Sequence, residues 1–347
     1  GSDSSQGLFV DNSGTLGIGD SVIVEIHADV TDLLLIADTI SVNGVDVKSS
    51  FDEIGNGVYE IYYKVQPAET SINDLTEALP IYIVLSDNYN TSNIFNTSQI
   101  SKSPGVDADI PTIDDVYSDA ELDDTFVKVG ESITFTVDPT GSEPGASITA
   151  ASYNNSTLTW TTSDGGDTYT TTYTVSEGDD DQTIPLQLGD VYLTDASGNT
   201  SAVWVYNSIT RRIDGNTPEI DTVYSSANTS GTLIVGDSII FTIEPVVAED
   251  SFIISPTTYN TKALSPWTTD DGGTTYTAVY KISEGDPDRL SSPLQLLNVT
   301  ITDTAGNVST KVNGTDVAKL IDAHPPAITD VYSDAELDDT FVKVGES

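Results

Sequence analysis

The chain has 347 residues, a length that suits about three two-layer β domains of roughly 100 residues better than one. Twelve Lys+Arg stand against 55 Asp+Glu, and the formal charge of −43 excludes nucleic acid and direct membrane insertion as modes of action, because it repels phosphate backbones and anionic lipid. Cysteine is absent, which excludes disulfides and thiolate metal sites, and no apolar run approaches the roughly 18 residues of a membrane-spanning helix.

In chain order, Ser2-Asp3-Ser4-Ser5 shows no strand pattern, and the first clear elements are Leu16 and Ile18, the turn at Gly19-Asp20-Ser21, and the alternating Val22, Val24 and Ile26. A period of two predicts a strand with one buried face. Tyr59, Tyr63 and Val65 continue the pattern, followed by Ser86-Asp87-Asn88-Tyr89-Asn90-Thr91-Ser92 and the linker Val106 to Pro111. The order then returns. Ile113 to Val116 supplies an opening strand, Val127 and Val129 precede Gly130-Glu131-Ser132, and Ile133, Phe135 and Val137 alternate. Next come Trp160, the Asp-Gly hairpin turn Ser163 to Asp167, the alternating Tyr169, Tyr173 and Val175, the acidic loop Ser176 to Asp181, Leu193 to Ser201, and the linker Ile213 to Pro218. A third pass reads Ile220 to Val223, Leu233 and Val235, Gly236, Ile239 to Ile243, Trp267, Asp270 to Gly273, Tyr276, Tyr280 and Ile282, Ser283 to Asp288, Ile301 to Ser309, and Ile321 to Pro326. Trp160 and Trp267 are expected in the cores, with Phe51 nearest to that place in the first pass.

The glycine turns at 19, 130, 236 and 345 mark a period near 108 residues, which announces an array of whole domains. The 18 residues Asp115 to Ser132 reappear letter for letter as Asp330 to Ser347, the trace of a two-module duplication. The expected modules are residues 1–109, lacking a first strand, 110–215 and 216–324, with 325–347 opening a further module or donating a strand. The fold class is all-β, with no sustained helical spacing. Ala327 to Tyr332 has the alternation of the strand that the first module lacks, so head-to-tail strand donation is one expectation and a cut through a continuous array the other.

The segments Leu193-Thr194-Asp195-Ala196-Ser197-Gly198-Asn199-Thr200-Ser201 and Ile301-Thr302-Asp303-Thr304-Ala305-Gly306-Asn307-Val308-Ser309 resemble the Thr-Asp-x-Ala-Gly-Asn turn of bacterial and archaeal Ig-like (Big-type) tandem repeats of cell-surface proteins, as in S-layer proteins and large adhesins. The resemblance implies tandem immunoglobulin-like β-sandwich domains at an extracellular cell surface. It names no ligand.

With Ig strand order, Asp195 is expected to approach Asp107 and Asp109 of the preceding linker, and Asp303 to approach Asp214. Glu177, Asp179 and Asp181, mirrored by Glu284, Asp286 and Asp288, are expected to face the linker that follows. Carboxylates brought together repel unless a cation sits among them, and structural Ca2+ accepts six to eight such oxygens, so these residues are the candidate metal ligands. None of the loops has EF-hand spacing, and Asp, Asn and Gly also dominate turns for backbone reasons alone. Asn-x-Ser/Thr sequons make Asn90, Asn199, Asn307, Asn228 and Asn298 candidate glycan acceptors. The two histidines, His27 and His324, form no recurring triad with Ser or Asp, so no enzyme is expected. Two functions fit: a structural segment of a surface layer or filament whose partners are copies of itself or adjacent modules, and an adhesin extender that binds a carbohydrate or protein.

Overall fold

The structure, a computed structural model, describes residues 14–28, 35–72, 78–87, 89–96, 104–121 and 125–332. The expected strand deficit at Ser2 to Ser5 and most of the duplicated segment 330–347 lie outside these residues. Among the described residues there are strands and short 3-10 turns but no α-helix, and the all-β class read from the periodicities is the observed one. By contact the chain divides into two compact units, one holding Gly1–Val127, Glu131–Thr174 and Gln182–Ile213, the other Lys128–Gly130, Val175–Asp181 and Asp214–Ser347.

In the first unit, Ser21–His27, Val58–Lys64 and Asp52–Gly55 form one antiparallel sheet, and Val45–Asp46, Ile36–Val42, Ile81–Ser86 and Phe95–Asn96 form a second. The alternation explains the pairing. Val22, Val24, Ile61 and Tyr63 point inward from the first sheet and meet Ile40, Val42, Ile81 and Ile83 from the second in one core. Further along the same unit, Ser132–Pro139 is flanked by Tyr169–Thr174 and by the opening strand Ile113–Ser118. Ile133, Phe135 and Val137 are buried there while Ser132 and Thr172 face out. The second unit repeats this sheet with Ser238–Pro245 between Ile220–Ser225 and Tyr276–Lys281, and Leu296–Thr302 packs across from it. Gly231–Ile234 pairs in parallel with Lys319–Asp322, closing the sandwich edge.

The aromatic centres of the later repeats are not the tryptophans. Tyr153 sits between Phe135 and Tyr173 with ring centroids 5.0 and 5.2 Å apart, and Tyr259 sits between Phe241 and Tyr280 at 4.8 and 5.1 Å. Trp160 and Trp267 are half-buried, because each indole N–H needs an acceptor and finds one at the rim, on the carbonyls of Ala150 and Pro256. In the first repeat Phe51 stacks on Tyr59. A second recurring device joins hairpin to core. Asn43, Asn154 and Asn260 adopt left-handed φ at a turn and donate Nδ2 to the hydroxyls of Tyr63, Tyr173 and Tyr280 at 3.2, 2.9 and 3.1 Å.

Two side chains, those of His27 and Val235, stand otherwise than the sequence alone suggests. His27, which follows the alternating Val22, Val24 and Ile26 and reads from sequence as an ordinary turn residue, instead closes the strand Ser21–His27 and pairs with Glu25. Val235, expected to point inward like Leu233, is 39% exposed. Ala327 to Tyr332 forms no strand, and Ile328, Val331 and Tyr332 are exposed.

Candidate functional site at the joints between repeats

The Thr-Asp-x-x-Gly-Asn segments fold as they do because one carboxylate organises the turn. Asp195 Oδ1 accepts from the backbone N–H of Ser197 and of Asn199, both at 2.9 Å, and Asp303 Oδ1 accepts from Gly306 and Asn307 at 2.7 and 2.8 Å. The turn aims the asparagine at its end away from its own sheet. In the first unit Asn199 Oδ1 accepts from Ile18 N at 2.6 Å, and its Nδ2 donates to the Asp107 carbonyl at 3.2 Å and to Asp195 Oδ2 at 2.9 Å. In the second unit Asn307 Oδ1 accepts from Val129 N at 3.0 Å, and its Nδ2 donates to Asp214 Oδ1 at 3.0 Å. Each asparagine therefore clasps an edge strand and a linker with one amide. The fit is close: a Cβ on Gly17 would lie 2.2 Å from the Ser197 carbonyl oxygen, so only glycine admits that turn. At the other clasp Lys128 donates Nζ to the Gly306 carbonyl at 3.1 Å.

Two of the candidate glycan acceptors are the clasping asparagines themselves. Asn199 and Asn307 are 3% and 4% exposed, and their amide hydrogens are engaged, so a glycan on either would open the clasp. Asn90, Asn228 and Asn298 are exposed. The sequon pattern could not separate the two groups, since it reads three adjacent residues and the partners of Asn199 lie 92 and 181 positions away.

Around each clasp stand carboxylates. Burial raises the Glu143 carboxyl above its ordinary value, and the charges of Asp195, Asp107 and Asp109 raise it further. In the second unit burial, and then Asp303 and Asp181, push Asp214 up to about 6 against the donors from Asn216 and Asn307. Glu249 is raised by burial and by Asp303, Asp214 and Asp181. Glu143 and Glu249 were not among the residues singled out from sequence. They occupy equivalent places because Gly166 and Gly273 pack against their backbones and the hydroxyls of Tyr169 and Tyr276 donate to their carbonyls. Their surroundings, Ser-Glu-Pro and Ala-Glu-Asp, hide the match, which only the module shift reveals.

The remaining predicted ligands serve the linkers or their own turns. Asp181 Oδ1 accepts from Gly215 N at 2.8 Å, and Glu177 accepts from Thr217 N at 3.1 Å. Asp179 Oδ2 caps Ser176 N at 2.9 Å, and Glu284 is exposed. Asp286, 0% exposed, accepts from Ser283 N and the Tyr280 hydroxyl and lies 2.6 Å from Lys262 Nζ. Burial opposes its charge, but these partners hold the carboxyl below its ordinary value. Asp288 accepts from Ala323 N and pairs with His324, which lowers Asp288 and raises His324. Asp109 Oδ2 accepts from Ser71 at 2.8 Å. Among the described residues, no three His, Asp or Glu side chains stand close enough together to hold one metal ion. The hairpin carboxylates Asp164 and Asp271 are held well below their ordinary values by threonine donors, Thr168 first for Asp164 and Thr275 first for Asp271. No helix of the described residues is long and apolar enough to cross a membrane.

Neither a protein-family model nor a curated protein matches the chain. Among solved structures it is similar to the I-band fragment I67-I69 of titin, at 11% identity over 89% of this chain and 94% of that one, with a TM-score of 0.40. It is also similar to the Escherichia coli adhesin FdeC, at 14% identity over 89% and 93% of the two chains with a TM-score of 0.25, and to the mouse nectin-like molecule 4 ectodomain, at 10% identity over 91% and 99% with a TM-score of 0.31. At these scores any reading of function rests on the chain's own geometry, which is that of tandem immunoglobulin-like sandwiches.

Proposed function

We propose that this chain is a structural repeat segment of an extracellular surface-layer or filament protein, in which the modules 1–109, 110–215 and 216–324 act as spacers held in a set orientation. The observation that carries this reading is the recurrence of one joint: Asn199 and Asn307 make the same bridge from a carboxylate-organised turn to an edge strand and a linker. A device that fixes successive domains is what a spacer requires. The likeness of the turn to cell-surface repeats supports the extracellular address. Antibody labelling of intact cells tests it, and labelling only after lysis would overturn it.

The finer part of the proposal is that Ca2+ occupies the joints and that Asn90, Asn228 and Asn298 carry glycans. The donor set supports calcium: Asp107, Asp109, Asp195 and Glu143 in one joint, and Asp181, Asp214, Asp303 and Glu249 in the other, are hard oxygen ligands whose mutual repulsion a divalent ion would relieve. The side chains would have to close further on the ion. Thermal melting in Ca2+ and in chelator is the test: a higher melting temperature with Ca2+ is expected, and superimposable curves would remove calcium while leaving the asparagine clasp standing.

A further inference from the structure

In two of the three repeats an opening strand covers the outer edge of one sheet. Ile113–Ser118 pairs with Ser132–Pro139, and Ile220–Ser225 with Ser238–Pro245, in the same register: Tyr117 opposite Thr136 and Val116 opposite Val137, then Tyr224 opposite Thr242 and Val223 opposite Ile243. The strand equivalent to Ser132–Pro139 in the first repeat is Ser21–His27. Its pairing with Val58–Lys64 takes up the N–H groups of Val22, Val24 and Ile26, in phase with the bond from Ala28 N to the Gly57 carbonyl, so those of Ile23, Glu25 and His27 point to the opposite edge. Among the described residues nothing pairs with that edge. The core shows the same gap. Val137 and Ile243, under their opening strands, are 0% exposed, whereas Ile26 at the same register is half-buried.

The chain carries a third copy of the opening strand. Ile113-Asp114-Asp115-Val116-Tyr117, Ile220-Asp221-Thr222-Val223-Tyr224 and Ile328-Thr329-Asp330-Val331-Tyr332 share Ile, Val and Tyr at the same spacing. The first two are paired strands. The third forms none, and its Ile328, Val331 and Tyr332 are 84%, 81% and 83% exposed, which leaves apolar surface in water that a partner would cover. We propose that residues 328–332 of one chain add as an antiparallel strand to the open edge of Ser21–His27 in a second copy, with Tyr332 opposite Glu25, Val331 opposite Ile26 and Asp330 opposite His27. In that register Glu25 N and His27 N donate to the Tyr332 and Asp330 carbonyls, and Val331 covers Ile26 as Val116 covers Val137. The occupant is a second copy because the same strand already fills the equivalent edge twice within the chain, and the docking rests on the reading of the chain as a repeat segment.

Sedimentation equilibrium of the full chain at rising concentration is the experiment, with hydrogen exchange read at the Glu25 and His27 amides. The mass is expected to rise above that of one chain, and both amides to slow as it does. Val331→Asp would place an unpaired charge against Ile26 and is expected to weaken association about a hundredfold. Thr329→Asp adds the same charge at an exposed position where the second repeat has Asp114, and is expected to leave association unchanged. Both side chains are exposed in the folded chain, so neither variant is expected to disturb the fold. A single-chain mass at every concentration, association that Val331→Asp does not alter, or Glu25 and His27 amides that exchange at one rate throughout overturns the docking. Labelling of intact cells reports on the extracellular address separately, so a failed address and a failed docking are told apart.

Discussion

Asn307 donates Nδ2 to Asp214 Oδ1 at 3.0 Å while its own Oδ1 accepts from Val129 N, so one buried amide satisfies a linker carboxylate and an edge N–H together. Replacing it with alanine removes a charge-assisted bond and strands the N–H. Asn307→Ala is expected to destabilise the second unit by about 2 kcal/mol in urea denaturation, and Asn199→Ala the first by a similar amount. No loss of stability in either variant would mean that the bridges are incidental.

Asp214 gives the second unit a pH dependence of definite sign. Its folded value of about 6 lies above that of a solvated Asp, so the folded state holds a proton that the unfolded chain releases. Its penalty is absent below about pH 4, grows through the window up to 6 and is complete above that, so stability from this group rises as the solution is acidified across that window. After discounting for solvent screening the effect is of order 1 kcal/mol. Asp214→Asn is expected to flatten the slope of denaturation midpoints between pH 4 and pH 7, and an unchanged slope would remove Asp214 as its source.

The paired glycines of the hairpins should respond unequally. Gly166 has φ 101° and a Cβ there would lie 2.5 Å from the Glu143 carbonyl carbon, whereas Gly165, at φ 84°, faces open space. Gly165→Ala pays only for the left-handed backbone, about 1 kcal/mol, while Gly166→Ala also displaces Glu143 and is expected to lose roughly 3 kcal/mol. Equal melting temperatures would contradict the close approach.

Glycan placement follows exposure. In material from an N-glycosylating host, peptide mass mapping should find the Asn199 and Asn307 sequons unmodified in folded protein and the Asn90, Asn228 and Asn298 sequons occupied. Occupied Asn307 with an intact fold would refute the clasp.

Much of the architecture was legible because burial imposes a period on a strand. Tyr59 and Tyr63, Ile133 and Phe135, and Tyr276 and Tyr280 announce their faces locally, and the core follows. What failed were readings in which a side chain has a distant partner. Trp160 looks like a core residue by size, but its N–H settles on a rim carbonyl and Tyr153 takes the centre. Asp195 is visible as a turn residue and Asn199 as a sequon, yet neither letter tells that the turn holds the asparagine against Ile18. Val235 reads as a buried residue by alternation, since its alternation matches that of Ile18 and Val129, and only the turn that covers those two makes the difference.

The parallel ladder between Gly231–Ile234 and Lys319–Asp322 has a consequence for a chain under tension. A pull backward on the leading strand and forward on the trailing one slides the two along each other, loading four rungs at once and not one after another. The sandwich would resist stretching by shear.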